Sequence, residues 1–326
     1  MLLGIDIGGT KCSVVLGGVS ADGMPAISGK AFLDTCAPAE QMIEGIFVEA
    51  ERLLHEHAIG KDALKGIGIS CGGPLDCKKG VILSPPNLPG WDDVTIVEMA
   101  RQRFECPVLL QNDANACAVA EWKWGAGKGV RNMIFLTFGT GMGAGLILNG
   151  QLYSGTNDMA GEVGHWRLAA DGPEGYGKAG SFEGFCSGGG IARMAQARAK
   201  ELFEAGTLPG FCKAAYEIDS ITTLQVAAAA FDGDEEACAI FRRSAQQLGA
   251  ALSLMIDLLN PERIVIGSIY NRCQPLFDEA LLAMVRQEAL PVSAGACAIV
   301  PAGLGERLGD VAALSLAEIA AGGISI

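Results

Sequence analysis

The chain has 326 residues, of which half are apolar and 19% are charged, and it carries a formal net charge of −13. This length and composition predict about two globular domains with enough apolar material for packed cores. An acidic chain lacks the clustered Lys and Arg that bind phosphate backbones, so nucleic acid is not an expected partner. No apolar stretch approaches ~18 residues and no signal peptide is recognisable, so we expect a cytoplasmic protein that does not bind membranes.

The eleven cysteines indicate free thiols rather than a disulfide framework. Their number is odd, none forms a C-x-x-C pair, and most lie inside apolar runs. Buried, unpaired cysteines are typical of proteins from a reducing compartment, which agrees with a cytoplasmic location.

The first motif is a polar, glycine-rich turn between two apolar strands. The strand Leu2–Ile7 runs into Gly8-Gly9-Thr10-Lys11 and then into a second strand at residues 12–16. A turn at Ala21-Asp22-Gly23 separates this strand from a third one around residues 27–33, which predicts a hairpin meander. Small residues let a phosphate approach the backbone, the threonine and lysine can donate to it, and Asp6 can hold magnesium through water. An ordinary β-turn after a strand-ending aspartate is an equal alternative for these residues alone.

A helix at residues 39–58 and a strand at residues 66–70 lead into a long irregular loop. Loops of this length in a compact domain are usually functional. Asn87 and Trp91 are groups suited to a hydroxylated ligand, and Gly72 and Gly73 let a ligand approach the backbone. The alternative is that the loop's prolines and glycines only form turns.

The central motif follows an apolar run of strand length, which ends in Gln111-Asn112-Asp113 before a helical segment at residues 114–122. A carboxylate between a strand and a helix lies where open α/β sheets bind ligands. We predict that Asp113 is a catalytic base and that Asn112 binds substrate by hydrogen bonds. Capping of the helix by these two residues is the alternative for this stretch alone.

A second glycine-rich hairpin consists of a strand at residues 133–138, the turn Gly139-Thr140-Gly141-Met142-Gly143, and a strand at residues 144–148. It is neither a Walker A loop nor a dinucleotide-binding turn. Two such hairpins predict a phosphate chain held by both turns.

The rest of the chain is rich in helical segments. Gly161-Glu162-Val163-Gly164-His165 and Glu183 precede helices predicted from Ser187 and over residues 216–230, 235–259 and 276–288. Strands are predicted at residues 264–268 and 296–300. A final helix at residues 309–317 is expected to fold back on the first domain.

Together these motifs resemble the ROK family of sugar kinases, within the superfamily that contains actin and hexokinase. The matching segments are Asp6-Ile7-Gly8-Gly9-Thr10-Lys11, Gly73-Pro74-Leu75-Asp76, Pro86-Asn87-Leu88-Pro89-Gly90-Trp91, Asn112-Asp113-Ala114-Asn115-Ala116, Phe138-Gly139-Thr140-Gly141-Met142-Gly143, Gly161-Glu162-Val163-Gly164-His165 and Glu183. The resemblance implies a two-lobed α/β fold of the actin-like ATPase (RNase H-like) type, with the active site in the cleft between the lobes. The expected small lobe is residues 1–113 plus 312–326, and the expected large lobe is residues 114–311.

The resemblance also implies the roles of individual residues. The residues expected to bind sugar are Gly73, Asn87, Asn112, Asp113, Glu162, His165 and Glu183. The residues expected to bind nucleotide are Gly8, Gly9, Thr10, Lys11, Gly139, Thr140, Gly141 and Gly267. The implied reaction is ATP-dependent phosphorylation of a hexose, with Asp113 as general base, magnesium as cofactor, and glucose 6-phosphate as the default product.

Several alternatives and one departure accompany this resemblance. N-acetylmannosamine, N-acetylglucosamine, fructose, allose or a β-glucoside could replace glucose, and a homodimer or homotetramer is implied. A sugar-sensing ROK repressor is a further alternative, although a phosphate motif that begins at residue 6 leaves no room for a preceding helix-turn-helix domain.

The departure concerns zinc. In most of the family, the histidine that corresponds to His165 and three cysteines that follow it hold a structural zinc. Here residues 166–182 contain no cysteine. His165 and the single nearby thiol, Cys186, cannot complete a tetrahedral site, so we expect no zinc. His165 is then available to the sugar; the alternative is a buried histidine bonded to a carbonyl.

Overall fold

The computed structural model of the protein describes residues 1–20 and 23–322. Ala21 and Asp22 of a predicted turn, and the last four residues of the expected small lobe, lie outside the described residues. No helix in the described part is both long enough and apolar enough to cross a bilayer.

The protein is a mixed α/β structure. The strands are β1 (Leu2–Ile7), β2 (Lys11–Val19), β3 (Pro25–Asp34), β4 (Gly66–Cys71), β5 (Leu75–Asp76), β6 (Val81–Ile82), β7 (Val108–Asn112), β8 (Met133–Leu136), β9 (Ala144–Leu148), β10 (Gln151–Leu152), β11 (Glu174–Gly175), β12 (Lys178–Ala179), β13 (Arg263–Ile266) and β14 (Ala298–Pro301). The α-helices are α1 (Ala39–Glu56), α2 (Ile96–Phe104), α3 (Asp113–Trp124), α4 (Phe182–Phe185), α5 (Gly188–Glu204), α6 (Thr223–Phe231), α7 (Glu235–Leu259), α8 (Ile269–Glu288), α9 (Pro291–Ala296) and α10 (Leu308–Ala320). Short 3₁₀ helices span Lys61–Ala63, Val163–His165, Ala215–Ser220 and Gly305–Arg307.

The chain divides into two compact units. The first unit contains Met1–Phe135, Gly145–Gly161 and the segment from Gly303 onward, and the second contains Leu136–Ala144 and Glu162–Ala302. The expected lobes, with their boundaries at residues 113/114 and 311/312, stay a prediction.

The first unit is built on a five-stranded sheet of order β3-β2-β1-β4-β7. Strands β1, β2 and β3 form the predicted antiparallel meander, while β1, β4 and β7 run parallel. The register pairs Asp6 with Ser70 and Cys71 with Asn112. Because parallel strands end at the same edge of a sheet, Asp6 and Asn112 are brought to one edge.

The final helix, α10, packs against this sheet as the sequence indicates. It contacts β1, β4 and α3. Two glycines permit the close approach: a Cβ at Gly4 would lie 2.8 Å from Ala313 Cβ, and one at Gly66 would lie 2.6 Å from the Ala317 carbonyl oxygen. Larger side chains at either position would push the helix off the sheet.

Trp91 belongs to the apolar core of the first unit. It is 1% exposed and packs in the same cluster as Leu88 and Ile96. Its interpretation as a ligand-contacting group is therefore wrong, because the loop turns its indole into the core.

The second unit is mainly helical. Helix α7 packs along α8, where a Cβ at Gly249 would lie 2.6 Å from the Leu281 carbonyl oxygen. The Phe277 ring makes edge contacts with Phe138 and Phe241, with ring centroids 5.3 and 5.4 Å apart. Such edge-to-face pairs are the favourable geometry for buried aromatic rings.

Strand β10 is antiparallel to β9 in the first unit, and β13 is parallel to β14 in the second unit. The predicted helix at residues 216–230 is interrupted. The Ala215–Ser220 turn is separated from α6 by Thr222, which is extended and forms a capping box with Gln225. A capping box fixes a helix start, so α6 cannot continue backward through this residue.

Candidate active site

Asp113 is the first residue of α3, directly after the end of β7. Its carboxylate accepts a hydrogen bond from the Ala114 N–H at 2.7 Å. Asp113 is exposed to solvent. Surrounding protein nevertheless displaces water from the carboxyl group, and this desolvation raises the pKa of Asp113 above its ordinary value of 3.8. A carboxylate that is reachable and more basic than usual is suited to accept a proton.

Asn112 is the N-cap of α3. Its Oδ1 accepts hydrogen bonds from the backbone N–H groups of Ala114 and Asn115, at 3.0 and 3.4 Å. The capping interpretation is therefore correct for this oxygen. The Nδ2 group has no hydrogen-bond partner in residues 1–20 and 23–322, which leaves a donor for a ligand.

The buried side-chain amide of Gln111 supports the backbone at the junction of β7 and α3. Gln111 is 6% exposed, and its Oε1 accepts from the Asn112 N–H at 2.8 Å and from Asn115 Nδ2 at 3.1 Å. These buried hydrogen bonds hold the backbone around Asp113 in one position, although Asn115 Oδ1 has no partner within the described residues.

The first phosphate motif forms a tight turn beside the long loop. The Gly8 N–H donates to the Lys11 carbonyl at 3.1 Å, and Thr35 Oγ1 donates to the Gly8 carbonyl at 2.7 Å. A Cβ at Gly9 would lie 2.5 Å from the Asn87 carbonyl oxygen, so only glycine allows the turn and the loop to meet. Thr10 and Lys11 are exposed.

The other loop residues lie close to the two asparagines. A Cβ at Gly72 would lie 3.4 Å from Asn87 Nδ2, and one at Gly73 would lie 3.5 Å from Asn112 Nδ2. The first unit thus brings together four polar residues predicted from the sequence, which we call the base cluster: Asp6, Asn87, Asn112 and Asp113. The phosphate turn adjoins this cluster through Gly9.

Asp6 lines a cavity of ≈ 220 Å³ in the first unit. Loss of hydration, followed by the charges of Asp113 and Asp310, raises the pKa of Asp6 to about 6, against a hydrogen bond with Ser70 that lowers it. Lys30 forms an ion pair with Asp310 at 2.6 Å on the same cavity. No sequence motif indicates this pair, whose two residues are 280 positions apart.

Magnesium fits this donor set. The cavity offers the carboxylate oxygens of Asp6, which are of the type that magnesium prefers, while Asp310 on the same cavity is paired with Lys30. Within the described residues no three His, Cys, Asp or Glu side chains are grouped to hold a metal directly. A cation held through water by one carboxylate, and otherwise by substrate phosphates, is consistent with both observations.

In the second unit, the turn at residues 139–143 contacts Glu183. The Met142 N–H donates to Glu183 Oε2 at 3.0 Å, and a Cβ at Gly141 would lie 2.7 Å from the same oxygen. Desolvation raises the pKa of Glu183, while the Met142 hydrogen bond and the nearby Arg193 and His165 charges oppose the shift. One carboxylate oxygen is thereby anchored to the turn.

The same turn lies beside Gly267-Ser268, of which Gly267 is expected to bind nucleotide, and beside the beginning of α5. Gly267 donates from its N–H to the Leu136 carbonyl at 2.9 Å, and a Cβ at Gly139 would lie 3.6 Å from Ser268 Oγ. The Gly188 N–H at the beginning of α5 donates to the Gly139 carbonyl at 2.8 Å. Thr140 is exposed on this turn. The start of α5 was not among the predicted nucleotide contacts, although its Ser-Gly-Gly-Gly sequence is a usable signal.

The segment Gly161–His165 packs on this turn through Gly164, where a Cβ would collide with the Met142 carbonyl oxygen and lie 3.4 Å from Glu183 Cβ. Glu162 is the N-cap residue of the 3₁₀ turn Val163–His165. Its carbonyl accepts from the His165 N–H at 3.2 Å. We call Glu162, His165 and Glu183 the signature cluster, and the second unit brings these three residues together.

A hairpin that the sequence did not predict holds His165. The two-residue strands β11 and β12 are joined by Tyr176 and Gly177, both with positive φ (54° and 65°), as in a type I′ turn. The Tyr176 ring stacks on the exposed His165 ring with centroids 4.0 Å apart, and Lys178 Nζ donates to the His165 carbonyl at 2.6 Å. The histidine is exposed, so the alternative of a buried histidine is wrong.

Cys186 is buried, and its Sγ donates to the Ser244 carbonyl at 3.3 Å. Burial raises the pKa of this thiol well above its ordinary value. A neutral buried thiol is a poor metal ligand. The absence of zinc stays a prediction for the whole chain.

Comparison with known proteins identifies the family. The ROK family model matches residues 2–319. Glucokinases are among the matched relatives; the one from Halalkalibacterium halodurans is 33% identical over 267 residues, covering 80% of this chain and 78% of the relative. A xylose repressor from Caldicellulosiruptor bescii is 27% identical over 290 residues, covering 88% of this chain and 70% of the repressor.

Among solved structures, a ROK family glucokinase from Streptomyces griseus, in complex with glucose and AMPPNP, superposes with a TM-score of 0.75 at 29% identity. The match covers 98% of this chain and 99% of that one. The chain belongs to the ROK family, and the expected actin-like α/β fold is confirmed.

Proposed function

We propose that this protein transfers the terminal phosphoryl group of ATP to a hydroxyl group of a hexose, with glucose as the first candidate and glucose 6-phosphate as the product. The enzyme class, an ATP-dependent sugar kinase, rests on family membership and on the glucokinase relatives. The Streptomyces griseus complex with glucose and AMPPNP supports both substrates.

The observation that carries the proposal is the base cluster. Asp113 has a carboxylate with a raised pKa at the end of a parallel strand, beside Asn112, whose Nδ2 group is without a partner in the described residues. The Gly8–Lys11 turn adjoins the same cluster through Gly9 and Asn87. A base, amide donors for hydroxyl groups and a phosphate turn in one unit are the parts that sugar phosphorylation needs.

In the proposed reaction, a sugar hydroxyl is held by the Asn87 and Asn112 side chains with its proton directed at Asp113. Asp113 accepts the proton as the hydroxyl oxygen forms its bond to the terminal phosphorus of ATP and the bond to ADP breaks. Backbone N–H groups of the Gly8–Lys11 turn and the Lys11 ammonium group stabilise the phosphate charge. Magnesium, when bound, supplies further charge neutralisation, and Asp6 would hold it through water.

We assign the signature cluster to recognition of the remaining sugar hydroxyls. Glu183 has one oxygen bound to the Met142 N–H, which leaves its other oxygen as an acceptor. Glu162 and His165 add an acceptor and a donor. Such sites reject analogues that lack a hydroxyl, because their own polar groups would be left unpaired. The turn at residues 139–141 and Gly267 are assigned to the nucleotide.

The family resemblance supports three further expectations about the working protein. We propose that it acts in the cytoplasm, that it forms a homodimer or homotetramer, and that residues 1–113 with 312–326 form a lobe distinct from residues 114–311. Light scattering coupled to gel filtration measures the oligomeric state; a monomer at assay concentration would contradict the second expectation.

A second candidate function is sugar sensing without phosphoryl transfer, which the match to a xylose repressor favours. A third candidate function is a kinase for another sugar, namely N-acetylmannosamine, N-acetylglucosamine, fructose, allose or a β-glucoside. The candidates differ in whether ADP is released and on which sugar.

The experiment is a coupled ADP-release assay with magnesium and ATP against this panel of sugars, with a reaction lacking sugar as the blank. We expect turnover on one sugar, with glucose first. Turnover on another panel member would keep the kinase and replace glucose. No turnover on any sugar, together with a sugar-dependent rise in melting temperature, would support the sensor and reject the kinase.

A further inference from the structure

A cavity of ≈ 420 Å³ lies in the second unit between α5, α7 and the loop at Gly172 and Pro173. We call it the arginine cavity, because the Arg193, Arg198 and Arg243 side chains line it. None of the residues assigned above to sugar, nucleotide or magnesium belongs to its lining. Its lining is therefore distinct from the base cluster and the signature cluster, although the Arg193 charge acts on Glu183 of the signature cluster.

Arg198 is neutralised within the arginine cavity. Its guanidinium group donates to both carboxylate oxygens of Glu236, each at 2.7 Å, and to Glu201 at 2.7 Å. This arrangement is a bidentate pair plus one more ion pair, which fixes the guanidinium in place. Arg198 consequently has little capacity left for another anion.

Arg193 and Arg243 are different, because neither forms an ion pair with a carboxylate in the described part of the chain. Arg193 Nη2 donates to the Glu174 backbone carbonyl at 2.6 Å, and the Arg243 guanidinium carbon lies 5.4 Å from the Phe185 ring centroid. Within the described residues, Arg193 and Arg243 are thus two cations without a carboxylate partner on one cavity. They give this cavity a local preference for anions.

Apart from Glu201 and Glu236, the two carboxylates that pair with Arg198, the rest of the cavity wall is apolar. The buried side chains of Met194 and Ile240 line it, together with Ala197, Ala239 and Pro173. Mostly apolar walls with a few convergent polar groups are typical of small-molecule sites, and the volume is within the usual range for them. The occupant therefore needs an anionic group and an apolar body.

We propose that the arginine cavity binds a small organic anion, a carboxylate or phosphate monoester on a compact apolar body, with Arg193 and Arg243 pairing with the anionic group. Arg193 binds at one end of the anion while it holds Glu174 at the base of the β11–β12 hairpin. The proposal does not depend on the kinase assignment, because it uses no residue of that machinery.

The test is calorimetric titration of the full chain with phenyl phosphate, benzoate and hexanoate as probes. Inorganic phosphate and phenol, the two halves of phenyl phosphate, are titrated separately for comparison. We expect saturable one-to-one binding of at least one probe and weaker binding of either half. Absence of saturation for all three probes at concentrations on the order of 10 mM would overturn the proposal.

Two variants assign the binding to this cavity. Arg243→Leu removes one pairing cation and is expected to weaken probe binding by about 10-fold, since a charge-assisted hydrogen bond carries about this much affinity. Arg242→Leu removes the same charge from the neighbouring exposed position, which does not line the cavity, and is expected to change binding less than about twofold. Equal losses in both variants, or no loss in Arg243→Leu, would place the probe elsewhere and contradict the proposal.

Discussion

The two units hold their functional side chains in different ways. In the first unit, Asp6 is on β1 and Asp113 directly follows β7, so two neighbouring carboxylates are fixed by parallel strands. In the second unit, Glu183 is on the four-residue helix α4 and His165 is on a three-residue 3₁₀ turn. Such short elements depend on individual contacts for their position. Here these contacts are the hydrogen bond from the Met142 N–H to Glu183 and the stacking of Tyr176 on His165.

This contrast predicts a division of labour. Regular elements hold reacting groups more precisely than loops and short turns do, and precision matters most for the chemical step. We therefore expect substitutions in the base cluster to lower turnover, and substitutions around the signature cluster to weaken sugar binding. Four variants test this division, in order of decreasing effect.

The largest effect is expected for Asp113→Asn. An amide cannot accept the hydroxyl proton, and loss of a general base lowers turnover by about 10²- to 10⁴-fold. The ADP-release assay measures it, with Asp62→Asn, an exposed carboxylate in the same unit, as the matched control. Turnover of Asp113→Asn near that of the control would show that Asp113 is not the base.

Asp6→Asn should chiefly affect the use of ATP. If Asp6 holds magnesium through water, its loss is expected to lower kcat/KM for ATP by about 10- to 100-fold, the usual cost of an outer-shell partner. The magnesium concentration for half-maximal rate should rise in parallel. Unchanged magnesium dependence would contradict the assignment.

The same substitution should stabilise the protein at neutral pH. The pKa of Asp6 is raised to about 6 from 3.8, so the folded protein binds this proton more tightly than the unfolded chain does. The contribution of Asp6 to the free energy of unfolding is therefore fully present below pH 3.8 and is lost as pH rises through 6. By pH 7 the free energy of unfolding is lower by about 3 kcal/mol than at a pH below 3.8, as far as this group is concerned. Asp6→Asn removes that cost.

Thermal unfolding in magnesium-free buffer measures this effect. The melting temperature of Asp6→Asn should exceed that of the wild type at pH 7, and the difference should shrink toward pH 4. A difference that does not change with pH would contradict the raised pKa.

Glu183→Gln should raise the KM for the sugar by about 10-fold and change kcat much less, because one charge-assisted hydrogen bond is weakened. Glu174→Gln, an exposed glutamate on the adjacent hairpin, is the matched control. A fall in kcat without a change in KM would place Glu183 in the chemical step instead and break the proposed division.

The smallest effect is expected for Tyr176→Leu. Loss of the ring stack frees His165, and an aromatic pair is worth about 1 kcal/mol, so the KM for the sugar should rise about fivefold. Tyr176→Phe keeps the stack and should behave as the wild type. Equal behaviour of the two variants would show that the stack does not position His165.

The base cluster could be predicted because its signals are local in sequence. An apolar run, the polar Asn112 and Asp113, and a helical segment follow one another directly, and the parallel strands then bring Asp6 to the same edge. The turns at residues 8–11 and 139–143 were recognisable for the same reason. Their glycines and polar residues are adjacent along the chain.

Other features leave no local signal. Lys30 and Asp310 are separated by 280 positions, and neither lies in a motif. The β11–β12 hairpin has two-residue strands, too short for a periodic pattern, and its Tyr-Gly turn is not a typical hairpin pair. For Trp91 the sequence suggests a ligand contact that the structure does not have. An aromatic residue in a loop gives no indication of whether its ring faces a ligand or the core.

The most direct test of the account separates binding from chemistry at Asp113. Calorimetric titration of Asp113→Asn with the sugar that the wild type phosphorylates gives the dissociation constant in a protein that cannot turn over. We predict a value within about threefold of the wild type, because the base acts in the transition state. Loss of sugar binding as large as the loss of turnover would show that Asp113 binds the sugar rather than activating it.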